Sequence, residues 1–259
     1  MRKYVVLGLM IALCGCAELG LEQPSDSEPV IEEVESKPKP SPKKKLEYPY
    51  LTNDNAVEFL TQYGKDHPQT RIVVTSEYGE FELELFTNTP LHRANFLYMI
   101  ERDYYTPTEV VRIVKDFVVQ SGNSDKEIPA FKRSIIGRYT IPDEMNSSNL
   151  HFTGALAASR SYEDNPDKRS SPYDFYIVDG KTPSKAEIQD VKINGEFKHS
   201  QAQIESYKKR GGAIHLDGQH TVFGRVVKGM NVIEAIAEVK TDDREWPDET
   251  INFDMRVKE

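Results

Sequence analysis

The chain has 259 residues, 38% of them hydrophobic and 10% aromatic, enough for one large domain, or a medium domain with appendages, around a real core. A formal net charge of −9 at pH 7 leaves no basic footprint for phosphates, which excludes nucleic acid as a partner. Beyond the N-terminus no apolar stretch approaches the roughly 20 residues that a membrane-spanning helix needs.

The first 16 residues read apart from the rest. Arg2 and Lys3 precede the apolar run "YVVLGLMIAL", and "LCGC" follows. That order of parts is a secretory signal, too short in its apolar section to span a bilayer. Leu13-Cys14-Gly15-Cys16 resembles the lipobox of bacterial lipoproteins. The resemblance implies a signal peptide over 1–15, cleavage before Cys16, lipidation of Cys16 and anchoring in a membrane; an ordinary signal peptide cut elsewhere is the other reading. Ala17 does not resemble an inner-membrane retention signal, so the outer membrane is the expected location, facing either the periplasm or the cell surface. Cys14 would leave with the signal, and with Cys16 lipidated no disulfide is possible even in an oxidising compartment. Residues 16–47 are rich in Pro, Ser, Glu and Lys and hold no aromatic residue, which predicts a disordered tether.

Residues 48–69 form a lead-in in which "NDNAVEFLTQYGK" predicts a short helix, capped by Asn53 or Asp54 and stopped at Gly64. From residue 70 to 259 the pattern is mainly β. "RIVVTSEYGEFELELF" gives two strands around "SEYGE", with Phe81, Leu83 and Leu85 alternating against glutamates. "PLHRANFLYMIERDYY" has helical spacing after Pro90. "VVRIVKDFVVQSGN" (110–123) holds two valine-rich runs joined by a Lys-Asp turn, followed by a polar stretch to about residue 151. "FTGALAAS", "YDFYIV" and "HTVFGRVV" are further strands, "GMNVIEAIAEV" is a second helix, and "INFDMRVK" closes the chain as a strand. Many short strands with two helices predict an antiparallel barrel capped by helices. Between them, 179–210 is a charged surface insertion with too little apolar residue for its own core, and Ser200 caps a helix inside it.

Arginine is rarely buried without a partner, so Arg112 inside an apolar strand needs a reason. Alternation sets Val110, Arg112 and Val114 on one face, with Val118 and Gln120 sharing a face of the next run. A tight hairpin would then bring a charged fork and an amide to one apolar surface; an edge-strand ion pair is the plainer alternative. The succession "GEFELELF…PLHRANFLYMIERDYY…VVRIVKDFVVQSGN…GALAAS…DFYIV…LDGQHTVFGRVVKGMNVIEAI" resembles the cyclophilin family of peptidyl-prolyl isomerases, over about 70–257 minus the insertion. The family fold is a closed eight-stranded antiparallel barrel with two helices, in agreement with the pattern above.

The resemblance implies that Arg112 is the catalytic arginine. It implies that Phe117, Val118, Gln120, Asp174, Tyr176, Leu216, His220 and Phe223 stand at substrate-binding positions. It also implies proline-containing polypeptides as partners and a role in folding exported proteins. No cofactor is expected, and the six histidines show no metal-ligand spacing. Several positions depart from the family pattern: Val110-Val111 for Phe-His, Val118 for a methionine, His215 for a tryptophan, and Pro172-Tyr173-Asp174 for Gly-Ser-Gln. Asp174 puts a carboxylate within possible reach of Arg112, where an ion pair would occupy the fork; Arg160 is its other available partner. A cyclophilin-fold peptide-binding or chaperone module with little catalysis is therefore the alternative function.

Overall fold

The computed structural model describes residues 48–258. The signal peptide (1–15), Cys16 and the tether (16–47) lie outside the described residues. The elements in chain order are β1 (Leu51–Thr52), α1 (Ala56–Asp66), β2 (Arg71–Ser76), β3 (Gly79–Leu85), α2 (Pro90–Glu101), β4 (Thr108–Val114), β5 (Val118–Ser121) and α3 (Glu127–Ile136). They continue with β6 (Gly137–Arg138), β7 (Ala155–Ala158), β8 (Phe175–Val178), α4 (Lys185–Ile193), α5 (Gln201–Arg210), a 3₁₀ turn (Ile214–Leu216), β9 (Val222–Lys228), α6 (Met230–Ala237) and β10 (Asn252–Val257).

Eight strands close into a barrel in the order β10-β2-β3-β9-β7-β8-β5-β4. Every neighbouring pair is antiparallel, including the closing pair of β4 with β10. The expected mainly β, closed eight-stranded barrel is the observed one. β1 and β6 form a separate parallel pair. The described residues hold six α-helices: the two expected on the barrel, the expected lead-in helix α1 and Ser200-capped helix α5, and two that the sequence pattern did not mark, α3 and α4. The two that were expected on the barrel, α2 and α6, pack against β9 and β10 and against β3, β4 and β5 respectively.

Three local differences have physical causes. Gly64 does not stop α1, which runs on to Asp66. A Cβ at Gly64 would stand 3.0 Å from that of Ala94 on α2, so glycine is there for close helix approach. The cap position of α1 is Asn55, whose side chain is turned back to accept the Thr52 N–H at 2.8 Å. In the polar stretch after β5, α3 forms despite Pro129, because a proline in the first turn loses only an N–H that has no helical partner anyway.

The 179–210 insertion is more ordered than its composition suggests. Ser184 with Glu187, and Ser200 with Gln203, form complete capping boxes on α4 and α5. Val191 and Tyr207 share a small apolar cluster with Leu150 and Ile214 of the barrel's flank. Its two ends meet: Gly212 N–H donates to Lys181 O at 3.0 Å, and a Cβ on Gly180 would fall 2.5 Å from the Gly212 carbonyl carbon.

Alternation along β5, β7, β8 and β9 separates two apolar layers. Val119, Leu156, Ala158, Phe175, Ile177 and Phe223 belong to the main core inside the barrel. Val118, Ala155, Ala157, Tyr176, Val178 and Val222 form a second cluster on the outer face.

Candidate active site

The cross-strand register builds the site on that outer face. Arg112 of β4 pairs with Gln120 of β5, Gln120 with Tyr176 of β8, Tyr176 with Ala157 of β7, and Ala157 with Val222 of β9. One row across five strands thus carries a guanidinium, an amide and an aromatic ring above an apolar floor. The phase of Arg112 comes from an irregularity in β4, where the pairing register shifts between Val110 and Arg112. Val110 consequently enters the core at 1% exposure, rather than sharing the face of Arg112 and Val114 as plain alternation predicts.

The walls are supplied by turns. Phe117, in the turn between β4 and β5, packs on the outer cluster together with Leu216 of the 3₁₀ turn and Val114. Its ring centroid lies 6.0 Å from Arg112 Cζ and 5.3 Å from the ring of His215, the residue at the family's tryptophan position. Gln120 Nε2 donates weakly to Ser159 Oγ at 3.4 Å. His220 is 8% exposed, with its ring 5.6 Å from that of Tyr176. Its Nδ1 stands 3.1 Å from the Ala158 carbonyl, which can only accept, so Nδ1 carries the proton and Nε2 accepts from Tyr162 OH at 2.7 Å. Burial pushes the imidazole down to about 4.

Phe223 is a correction. Sequence position assigned it to the groove, but its side chain points into the barrel at 3% exposure, against Phe96 and beside His92. Val222, one residue earlier, faces the groove floor instead. Two residues fix alternation here, and the aromatic one falls on the inside.

Asp174 reaches neither of the partners open to it. Its carboxylate accepts from Ser171 Oγ at 2.5 Å, and burial raises its pKa, with the Ser171 and Asn123 hydrogen bonds opposing. Arg160 is committed to Gln219, with Nε donating to the main-chain carbonyl at 2.7 Å and Nη2 to the side chain at 2.9 Å. Arg112 pairs instead with Glu245, which the sequence pattern did not single out, Nε to Oε2 at 2.6 Å. Glu245 sits in a polar loop after α6, 133 residues away in sequence, and no periodicity or motif marks it.

Behind the floor lies a buried polar network. Tyr176 OH meets His151 Nε2 at 3.1 Å, and His151 donates its Nδ1 proton to Asp217 Oδ1 at 2.8 Å. Asp217 also accepts from His151 N–H, His199 Nε2 and Tyr207 OH at 2.9, 2.7 and 2.6 Å. Burial alone would raise the carboxyl, but these donors outweigh it and hold Asp217 at about 2. His199 and Tyr207 belong to the insertion, and Asp217 directly follows Leu216, so the insertion grips the turn that forms the groove wall. Among the described residues no group of three metal-ligating side chains is arranged to hold an ion.

The arrangement is an apolar surface with one guanidinium, one amide and one histidine at its edge. It can hold a small ring by contact, and donate hydrogen bonds to a peptide above it.

Comparisons with known proteins agree on the family. The family model "Cyclophilin type peptidyl-prolyl cis-trans isomerase/CLD" matches residues 71–256. A Neurospora crassa protein named peptidyl-prolyl cis-trans isomerase-like 1 is 31% identical over 179 residues, covering 69% of this chain and 87% of that one. A Staphylococcus aureus protein named as a peptidyl-prolyl cis-trans isomerase is 26% identical over 180 residues, covering 69% of this chain and 86% of its own. The fold is shared with a Cryptosporidium parvum cyclophilin-type isomerase at a TM-score of 0.53 and 18% identity, over 74% of this chain and 98% of that one. The same protein in the presence of the dipeptide Ala-Pro gives a TM-score of 0.52. With the matched span reaching from the first barrel strand into the last, the chain belongs to the cyclophilin-type peptidyl-prolyl cis-trans isomerase family.

Proposed function

We propose that this cyclophilin-type isomerase accelerates X–Pro rotation in exported polypeptides and so assists their folding, with Arg112 as its catalytic residue. The observation that supports this best is the five-strand row that sets Arg112 and Gln120 side by side over an apolar floor. A proline-containing peptide, the class of ligand present with the Cryptosporidium protein, is the substrate we assign.

Amide resonance makes the barrier to X–Pro rotation roughly 18–20 kcal/mol, and the unaided step takes tens to hundreds of seconds. No bond is made or broken, so a catalyst need only favour the twisted amide over both planar forms. Phe117, Val118 and Leu216 hold the proline ring, with Tyr176 as floor and His220 closing one side. Gln120 bonds the substrate backbone. In the twisted state the prolyl nitrogen becomes pyramidal and gains a lone pair. An Arg112 N–H donates to that lone pair and to neither planar form, and each factor of ten gained this way corresponds to about 1.4 kcal/mol. Phe223 acts from behind, as core packing under the floor.

The "LCGC" motif supports lipidation at Cys16 and attachment to the outer membrane, where several acyl chains hold a protein far more firmly than one. A catalytically weak peptide-binding or chaperone module of the same fold is the second reading. The Arg112–Glu245 pair, which occupies one guanidinium N–H, is the observation in its favour.

The test is isomerisation of a chromogenic X–Pro peptide by the full-length protein and by Arg112→Ala, with folding checked by circular dichroism. The expected result is a fast wild type and a loss of about a hundredfold in the variant, the scale of removing one preorganised donor. Equal and slow rates with the fold intact would reject the isomerase and leave the binding module.

A further inference from the structure

Arginine side chains have four rotatable bonds, and an exposed one must be ordered each time a substrate arrives. Arg112 is 36% exposed along its side chain, and its Nε donates to Glu245 Oε2 at 2.6 Å. Nη1 and Nη2 form no hydrogen bond among the described residues.

The loop that delivers Glu245 is stitched to itself and to β4. Asp242 Oδ1 accepts the N–H groups of Arg244 and Trp246 at 2.8 and 2.9 Å, and Asp242 N–H donates to Trp246 O at 2.8 Å. Glu245 N–H donates to Asp242 O at 3.0 Å, and Glu245 O accepts from Ile113 N–H, the residue after Arg112, at 2.9 Å. Glu245 holds φ +65°, a left-handed conformation that glycine would adopt with less strain. A residue with a Cβ in that conformation, pinned by its own carbonyl beside the arginine it bonds, points to a use for its side chain.

Resting on the isomerase reading above, we infer that Glu245 is a positioning residue for catalysis. It grips Arg112 by Nε and so aims the two Nη groups over Phe117 at the prolyl nitrogen. Two effects compete. A carboxylate on one edge of a guanidinium makes its other N–H groups slightly weaker donors. Both groups are more than a third exposed, so water and salt screen that electrostatic penalty. The direction of the N–H bonds is not screened, and a hydrogen bond to a lone pair that exists only in the twisted state depends on direction. Orientation therefore outweighs the loss of donor strength.

The experiment compares full-length wild type, Glu245→Ala, Glu245→Gln and Arg112→Ala on the chromogenic X–Pro peptide, and follows the Arg112 Nε–H resonance by NMR. The alanine variant is expected to lose about three- to tenfold in kcat with little change in KM, and its Nε–H signal is expected to vanish into solvent exchange. The glutamine variant keeps an acceptor without the charge, so it is expected to recover most of the rate and the signal. An alanine variant as fast as wild type or faster overturns the inference, as does a glutamine variant that keeps the signal and stays slow. Wild type no faster than Arg112→Ala rejects the isomerase reading itself, and the inference with it. A fast wild type with an unaffected Glu245→Ala rejects the inference alone.

Discussion

The carboxylate of Asp217 accepts four hydrogen bonds, two from His151 and one each from His199 and Tyr207. That saturation explains how an anion sits at the centre of the groove wall, and why acid should unseat it. Its folded pKa of about 2 lies below the ordinary carboxylate value, so its contribution is complete above about 3.8 and is lost as pH falls towards 2. His220 acts at milder pH. Burial, with the charges of Arg160 and Lys168 nearby, holds it at about 4, whereas an unfolded histidine takes its proton near 6.5. Between those values the unfolded chain binds more protons, so stability falls as pH drops from 6.5 to 4, by up to about 1.4 kcal/mol per pH unit. Urea titrations across that range are expected to show this slope in wild type and a flatter one in His220→Gln. Equal slopes would mean that His220 is protonated as readily in the fold as out of it. The types of Arg112, Phe117, Gln120, Leu216 and His220 were legible in the sequence because each stands in a contiguous motif. Glu245 was not, since nothing local ties a loop carboxylate to an arginine on another strand.

Strand phase decides which residues of an element do chemistry and which pack. Phe223 and Phe117 are both aromatic and both come from the segments most like the family. Alternation along β9 turns Phe223 inward, whereas Phe117 lies in a turn and rests on the outer layer. Phe223→Ala is therefore expected to destabilise the fold by about 3–5 kcal/mol, as a cavity in a close-packed core does. Phe117→Ala should cost far less stability and instead raise KM for the X–Pro peptide. Thermal unfolding and steady-state kinetics of the two variants check this, and a reversed pattern would put Phe223 back at the substrate. The irregularity in β4 escaped prediction for a similar reason. "VVRIV" holds no glycine, proline or other sign of a bulge, and only pairing with β5 shows that Val111 takes up an extra place. Helix α3 lies in the stretch read only as polar; of its residues Ile136 alone is buried, so no apolar face towards the core marks it.

At the scale of the whole molecule, the barrel was readable because eight short apolar or alternating runs, separated by turns, helices and polar stretches, leave few other ways to bury their apolar faces. Within the insertion the Ser200-capped helix was legible, whereas α4 and the docking on Asp217 were not, because they come from a second capping box and a buried carboxylate rather than from an apolar pattern. The proposed lipid anchor belongs to this scale as well. Cys16→Ser is expected to move the protein from the membrane fraction to the soluble one and to abolish acylation seen by mass spectrometry. A variant that stays with the membrane would reject attachment through that residue.

The touching ends of the insertion, Gly180 against Gly212, bear on how the chain reaches its fold. Topologically the 179–210 segment is a side branch: once its neck is shut, β8 and the Ile214–Leu216 turn are joined as though by a tight loop. The long excursion then adds little to the loop-closure entropy of the barrel, which grows only slowly with length. Strands on either side can find each other before the branch has settled, and its helices can dock on Asp217 afterwards. Such a neck is also a port, where foreign sequence can be spliced in with the barrel's strand order untouched.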